Sequence, residues 1–245
     1  DTTPLCPACP SDSTMSTVLS QPQSLTNVDV VPVETAAQRR QFLNLPWSIY
    51  QGDENWIPPL RQTQKEMVNY TPHPFYERNQ IQTFLATADG KPVGRIAAIV
   101  NVGHNERYKE QRGFVGFFES PDDQTVANQL FDAANAWLAE RGMTAIRGPM
   151  NPSMNHECGL LIEGFDRAPT FMMTYNPPYY PKLWEGYGFE KVEDMVAFWG
   201  HIDMLATLDP KIYEIGEQCM ERFNVELRPI NKKRFKEEVE AYLNI

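Results

Sequence analysis

The residues best equipped for chemistry sit in one loop, Gly148-Pro149-Met150-Asn151-Pro152-Ser153-Met154-Asn155-His156-Glu157-Cys158-Gly159. Two amides, a hydroxyl, an imidazole, a carboxyl and a thiol crowd a short segment after an expected strand, where functional loops concentrate. The alternative is that Asn, Ser and Pro are here for turn chemistry. Asn176-Pro177-Pro178-Tyr179-Tyr180 is a second loop of this kind. Glu119 closes the apolar run Phe114–Glu119; burial there would raise its pKa toward that of a general base, whereas a solvated Glu flanking a helix would have no such role. Cys158 has His156 two residues away, but a thiol nucleophile and its base are normally brought together from distant sequence. Cys6 and Cys9 form a CxxC with no second pair, and His73 and His104 stand alone. No metal site is expected.

Composition narrows the partners. A net charge of −10 over 245 residues disfavours nucleic acid, whose phosphates would be repelled, and an anionic membrane surface likewise. No apolar run reaches the length of about eighteen residues that a bilayer crossing needs, and no apolar leader marks a secretory signal. A cytoplasmic protein acting on a small polar molecule is the expectation. The 42% hydrophobic and 11% aromatic content promises a substantial core.

These groups need a scaffold. Residues 1–26 have no apolar periodicity and read as disordered; the chain begins without Met, Met15 is a plausible start, and the other end stops inside a helical pattern, as a fragment would. Asn27–Val33 alternates as a strand and a helix follows from Glu34 toward Leu45. Ile81–Ala88 and Val93–Val100 read as a hairpin around Asp89-Gly90. Val126, Leu130, Ala133, Ala134, Trp137 and Leu138 share one face of a helix Pro121–Arg141 ended by Gly142. Its start, with Ser120 as cap, Pro121 first and Asp122 and Asp123 in the first turn, has capping-box spacing. Thr144–Arg147 is a strand, Tyr180–Trp184 a short helix and Val192–Trp199 a further strand. The mixture is α+β with a mostly antiparallel, twisted sheet flanked by helices. Asn224–Ile230 echoes Asn27–Val33, each followed by a charged helix, which points to a second copy of the module beginning near the end. The expected division is 1–26, a domain at 27–204, and a connecting helix with the start of a second domain at 205–245.

The element order, with Leu183-Trp184-Glu185-Gly186-Tyr187-Gly188-Phe189 similar to L-Y-E-x-x-G-F, resembles the GNAT superfamily of acyl-CoA N-acyltransferases, and within it a group of little-characterised bacterial proteins long enough for two such domains. The resemblance implies transfer of an acetyl group from acetyl-CoA to an amine of a small polar acceptor. It implies Glu119 as base, and Tyr179 or Tyr180 in place of the tyrosine that Trp184 replaces. Phe117, Phe118, Asn151 and Asn176 would line the acetyl-CoA cleft, and Ser153, Asn155 and Glu157 would contact the acceptor. One departure stands out. Where the superfamily has a glycine-rich pyrophosphate turn, this chain has Glu119-Ser120-Pro121-Asp122-Asp123-Gln124, whose carboxylates compete with phosphate for the helix amides. The resemblance therefore also admits a non-catalytic GNAT-like ligand-binding or scaffold domain that supports a second, catalytic one.

Overall fold

The computed structural model describes residues 27–198, 200–224 and 228–244. They form two units, one ending at Glu193 and the other beginning at Asp194, each taken by itself below.

The first unit enters with β1 (Val28–Pro32) and α1 (Ala36–Asn44), whose cap Thr35 accepts from the Gln38 amide while its own N–H is bonded to the Gln38 side chain. Short helices α2 (Pro46–Ile49) and α3 (Arg61–Met67) follow. Next come β2 (Gln80–Ala88) and β3 (Lys91–Val100), joined through Asp89 and Gly90, both at positive φ, as a tight hairpin requires. Helix α4 (Val102–Tyr108) leads to β4 (Arg112–Glu119), α5 (Gln124–Ala139) and β5 (Ala145–Arg147). A small hairpin, β6 (Met150–Asn151) with β7 (Glu157–Cys158), and α6 (Tyr180–Tyr187) complete the unit.

The sheet order is β1-β2-β3-β4-β5, antiparallel except between β4 and β5. Both faces are covered, and β3 and β4 are accordingly almost continuous apolar runs. On one face, Phe84, Ile96, Ala98 and Val115 pack with Val126, Leu130 and Leu138 of α5 and with Leu183 and Trp184 of α6. On the other, Leu85, Ala97, Ile99 and Phe114 pack with Phe42 of α1, Val68 and Met150. The sequence expectation of an α+β fold with a mostly antiparallel sheet matches this architecture.

Strands β4 and β5 pair only from Arg112 to Phe114 against Ala145 to Arg147. Beyond that point the chain crosses β4 at two glycines. A Cβ on Gly116 would lie 1.8 Å from the Met150 carbonyl oxygen, and one on Gly148 would lie 2.5 Å from that of Val115. Only hydrogen at these positions permits the crossing. Gly148-Pro149 and Asn151-Pro152 are cis peptides.

Two expected boundaries change. Helix α5 begins at Gln124, and its cap is Asp123, whose carboxylate accepts from the Thr125 and Val126 amides. Ser120, the expected cap, is fully buried and its N–H donates to the Tyr180 hydroxyl. Replacing Asp123 with Ala should lower stability by about 1 kcal/mol, read as a shift in the urea midpoint at constant m. The second change is at Val192–Trp199: residues 192–198 carry no strand, and Trp199 lies outside the described residues. An alternating pattern becomes a strand only where a ladder takes up its backbone groups.

In the second unit, α7 (Pro210–Arg222) is capped by Asp209 and α8 (Phe235–Leu243) follows a 3-10 turn at Lys232–Arg234. The expected strand Asn224–Ile230 falls partly on residues 225–227, outside the described residues; 228–230 carry no strand. Residues 1–26, including Cys6, Cys9 and the region read as disordered, also lie outside them.

Candidate active site

The β3–β4 register sets Arg95 opposite Glu119. Both are interior positions, so an arginine and a glutamate that neither end could bury alone are buried together. Arg95 Nη2 lies 3.2 Å from Glu119 Oε1, with side chains 5% and 9% exposed. The other Arg95 Nη donates to the Phe42 carbonyl oxygen at 2.9 Å, and the guanidinium lies over the Phe42 ring. The Tyr180 hydroxyl donates to Glu119 Oε2 at 2.7 Å while accepting from the Ser120 N–H at 3.1 Å. The Tyr50 hydroxyl donates to the Tyr175 carbonyl oxygen at 3.3 Å. Desolvation raises the Glu119 pKa above the usual carboxylate range, against the opposing pull of Arg95, Tyr180 and Tyr50.

A bulge next to this pair redirects β4. The ladder runs Arg95 to Glu119 but Ala97 to Gly116, and Phe117 adopts φ +50. A bulge inserts one residue and turns the local backbone; a positive φ at an aromatic residue is costly and marks a held conformation. Here the Phe117 N–H donates to Asn151 Oδ1 at 2.6 Å.

Above the pair opens a cavity of about 120 Å³. Its floor includes Arg95, Phe117, Phe118, Glu119 and Tyr180, and its walls include Tyr50, Trp56, Asn151, Glu157 and Asn176. Tyr50 and Trp56 are stacked at 4.8 Å and nearly parallel, and Trp47 meets Trp56 edge-on at 5.4 Å. Arg61 caps this stack from the Trp47 face, 3.9 Å from the ring centre. The Tyr175 hydroxyl donates to Asp53, which ties the two wall segments together.

Sequence reasoning had singled out ten residues, and the structure gathers seven of them at one cavity: Glu119, Tyr180, Phe117, Phe118, Asn151, Asn176 and Glu157. Their engagements differ. Asn176 is nearly buried; its Oδ1 accepts from the Leu161 N–H at 2.7 Å and its Nδ2 donates to the Leu161 and Pro177 carbonyls, stitching two loops. Asn151 accepts from the Phe117 N–H and pairs with Glu157 across the β6–β7 ladder, and burial lifts the Glu157 carboxyl with Asn151 opposing the rise. Tyr179 is not part of the cavity lining; its hydroxyl donates to the Ser120 carbonyl at 2.8 Å. Ser153 is buried and bonded to His156 Nδ1 at 2.9 Å, and Asn155 is exposed; neither lines the cavity. The His156 ring also meets Phe75 edge-on. Burial pushes the Cys158 thiol upward, away from a reactive thiolate.

Arg95, Tyr50, Trp56 and Tyr175 were not singled out. The signal for Arg95 was present: one charge inside the apolar run Val93–Val100. Among the described residues, no group of three or more His, Cys, Asp and Glu could hold a metal ion, and no helix is long and apolar enough to cross a membrane.

No protein-family profile matches the chain. It is 37% identical over 206 residues to protein YghO of Escherichia coli (strain K12), covering 84% of this chain and 52% of that protein. It is 34% identical over 230 residues to the bacterial ceramide synthase of Caulobacter vibrioides, covering 91% and 58%. The chain thus spans little more than half the length of these two relatives. Among solved structures, an aminoglycoside acetyltransferase from a soil metagenomic sample, in complex with sisomicin, aligns with a TM-score of 0.42 at 12% identity, over 71% of this chain and 96% of its own. AAC(6')-Iy with a CoA-linked bisubstrate analog aligns with a TM-score of 0.43 at 16% identity, over 72% and 99%.

Proposed function

We propose that this chain, whose fold is GNAT-like, transfers an acyl group from a CoA thioester to a primary amine, with Glu119 accepting the proton. One observation carries the reading: a buried carboxyl with a raised pKa forms the floor of a cavity reached between two polar loops. The amine nitrogen attacks the thioester carbonyl carbon, the new C–N bond forms and the C–S bond breaks. The nitrogen's proton passes to Glu119, and a proton returned from there balances the departing thiolate. A base whose pKa lies nearer neutrality suits both transfers. Tyr180 acts as a positioning residue, since its hydroxyl already donates to Glu119 and accepts from Ser120. Burial keeps the Tyr50, Tyr179 and Tyr180 hydroxyls protonated far beyond neutral pH, which leaves the carboxyl as the exchangeable group. The relative named a ceramide synthase supports this class of reaction, because a ceramide is the amide of a fatty acid and an amine.

The start of α5 does not suit the donor's pyrophosphate: Asp123 holds the amides there, and Gly186 of α6 packs against the Gln124 side chain. That observation favours a second reading, in which this segment binds ligand or buttresses another GNAT-like domain that performs the chemistry. The two part in one assay. The chain is incubated with acetyl-CoA or a long-chain acyl-CoA and a panel of primary amines, with released thiol and amide product quantified. Stoichiometric thiol and amide support transfer; none with any pair leaves the binding domain as the function of this segment.

A further inference from the structure

We propose that Glu157 is a second catalytic carboxylate of this cavity, taking one proton from the acceptor's ammonium group and handing it to solvent before Glu119 takes the next. The inference rests on the acyl-transfer reading and gives a role to a carboxyl that this reading leaves idle.

The proton count requires a second acceptor. An alkylamine is protonated at neutral pH, as a lysine side chain is with its pKa of about 10.4. Its lone pair is then held in an N–H bond and cannot attack a carbonyl carbon. Forming a secondary amide from an ammonium group therefore removes two protons from nitrogen. One leaves as the C–N bond forms, passes to Glu119 and is returned to the departing thiolate. The other must leave first, as R–NH3+ and a carboxylate give R–NH2 and a carboxylic acid. Neither product retains that proton, so it ends in bulk water.

Glu119 is poorly placed to carry both. Its two oxygens are engaged by Arg95 and Tyr180 and the residue is buried, so it exchanges with the ligand above it rather than with bulk water. Glu157 lines the same cavity and is only half-buried. It stands on β7 directly opposite Asn151 of β6, and opposed residues of an antiparallel pair project to one side. The Asn151 side chain there reaches the Phe117 N–H, two residues before Glu119, at 2.6 Å. The β6–β7 hairpin thus brings Glu157 to β4 and the cavity floor. The other titratable and charged groups lining this space are Tyr50, Arg95, Glu119, Tyr175 and Tyr180. Arg95 is committed to Glu119 and the Phe42 carbonyl, and burial keeps the three tyrosine hydroxyls protonated. No ion pair to Glu157 occurs among the described residues. A carboxylate without a counter-charge attracts an ammonium group. Burial also raises the Glu157 pKa, with Asn151 opposing the rise, toward the range in which a group both accepts and releases a proton.

The test compares ethylamine, an ammonium ion at neutral pH, with methoxyamine, which is already uncharged there, each acylated from acetyl-CoA by the whole chain. Glu157→Gln should lower the ratio of kcat/KM for ethylamine to that for methoxyamine on the order of 100-fold, because only ethylamine carries the extra proton. Glu119→Gln should leave that ratio unchanged while lowering both values. The pH profile is a second readout, independent of how much active protein the variant retains. With ethylamine, Glu157→Gln must wait for free amine from solution, so its kcat/KM should climb about tenfold per pH unit between about pH 7 and 9. The parent should be level once both carboxyls are ionised, and Glu157→Asp, which keeps a carboxylate, should restore that level profile. Equal losses for the two amines, or an ethylamine profile in Glu157→Gln as level as the parent's, overturn the proposal. The outcomes separate. Thiol release with an unchanged ethylamine-to-methoxyamine ratio leaves acyl transfer standing and removes Glu157 alone, whereas no thiol from the parent chain with either amine overturns the acyl-transfer reading and this proposal together.

Discussion

Glu119→Gln should cut acyl transfer by about 10²- to 10⁴-fold, the range expected when a general base is removed, with little change in the affinity for acyl donor. Gln keeps one oxygen, for either the Tyr180 hydroxyl or Arg95, and turns an NH2 toward the other, so the loss of the proton site is read alongside a urea midpoint that shows the variant folded. The pH profile gives the more discriminating readout. Only ionised Glu119 accepts a proton, so the parent activity should fall as pH drops through its raised pKa. That acid limb should sit above the ordinary carboxylate range and vanish in the variant. A variant with parent-like kcat/KM at every pH would remove Glu119 from the reaction.

The second large effect concerns its partner. Arg95→Met leaves a fully buried carboxyl without its guanidinium, and breaking one half of a buried pair costs about 3–5 kcal/mol. The sign of the pH dependence follows from linkage. The folded-state pKa of Glu119 is already above the unfolded value, and loss of Arg95 raises it further. Folding then favours the protonated form, so stability falls as pH rises through that pKa and recovers as pH falls back below it. Urea unfolding should therefore show a deficit that is largest at neutral and alkaline pH and smaller at acid pH. A deficit independent of pH would mean that Arg95 contributes through packing on Phe42 and its bond to the Phe42 carbonyl alone.

Elements whose pattern is self-contained were legible in the sequence. The α5 stripe, the Asp89-Gly90 turn and the apolar runs of β3 and β4 all appear where periodicity and turn chemistry place them. The start of α5 was misplaced by local capping rules, because Ser120 is taken by Tyr180, a residue 60 positions away. Val192–Phe198 shows the reverse case: alternation was present, but no strand results.

The site divides on similar lines. Glu119 could be found because it ends an apolar strand. Arg95 needed the register of β3 on β4, which no local pattern reveals. Tyr50, Trp56 and Tyr175 reach the cavity through contacts between distant loops, such as Tyr175 to Asp53. Conversely, Ser153 and Asn155 looked chemical by type, yet they serve the turn that β6 and β7 enclose.

The glycine crossing over β4 acts as a fulcrum. At its root the 148–159 segment cannot shift without backbone collision, since Met150 lies against Gly116 and Gly148 against Val115. At its tip Met154 and Asn155 are exposed and unconstrained by such contacts. Variation in the tip can thus be absorbed there while the Arg95–Glu119 floor stays fixed. The segment joins a root held by backbone contact to a tip that is free of it, so substitutions at the two ends should differ sharply in cost.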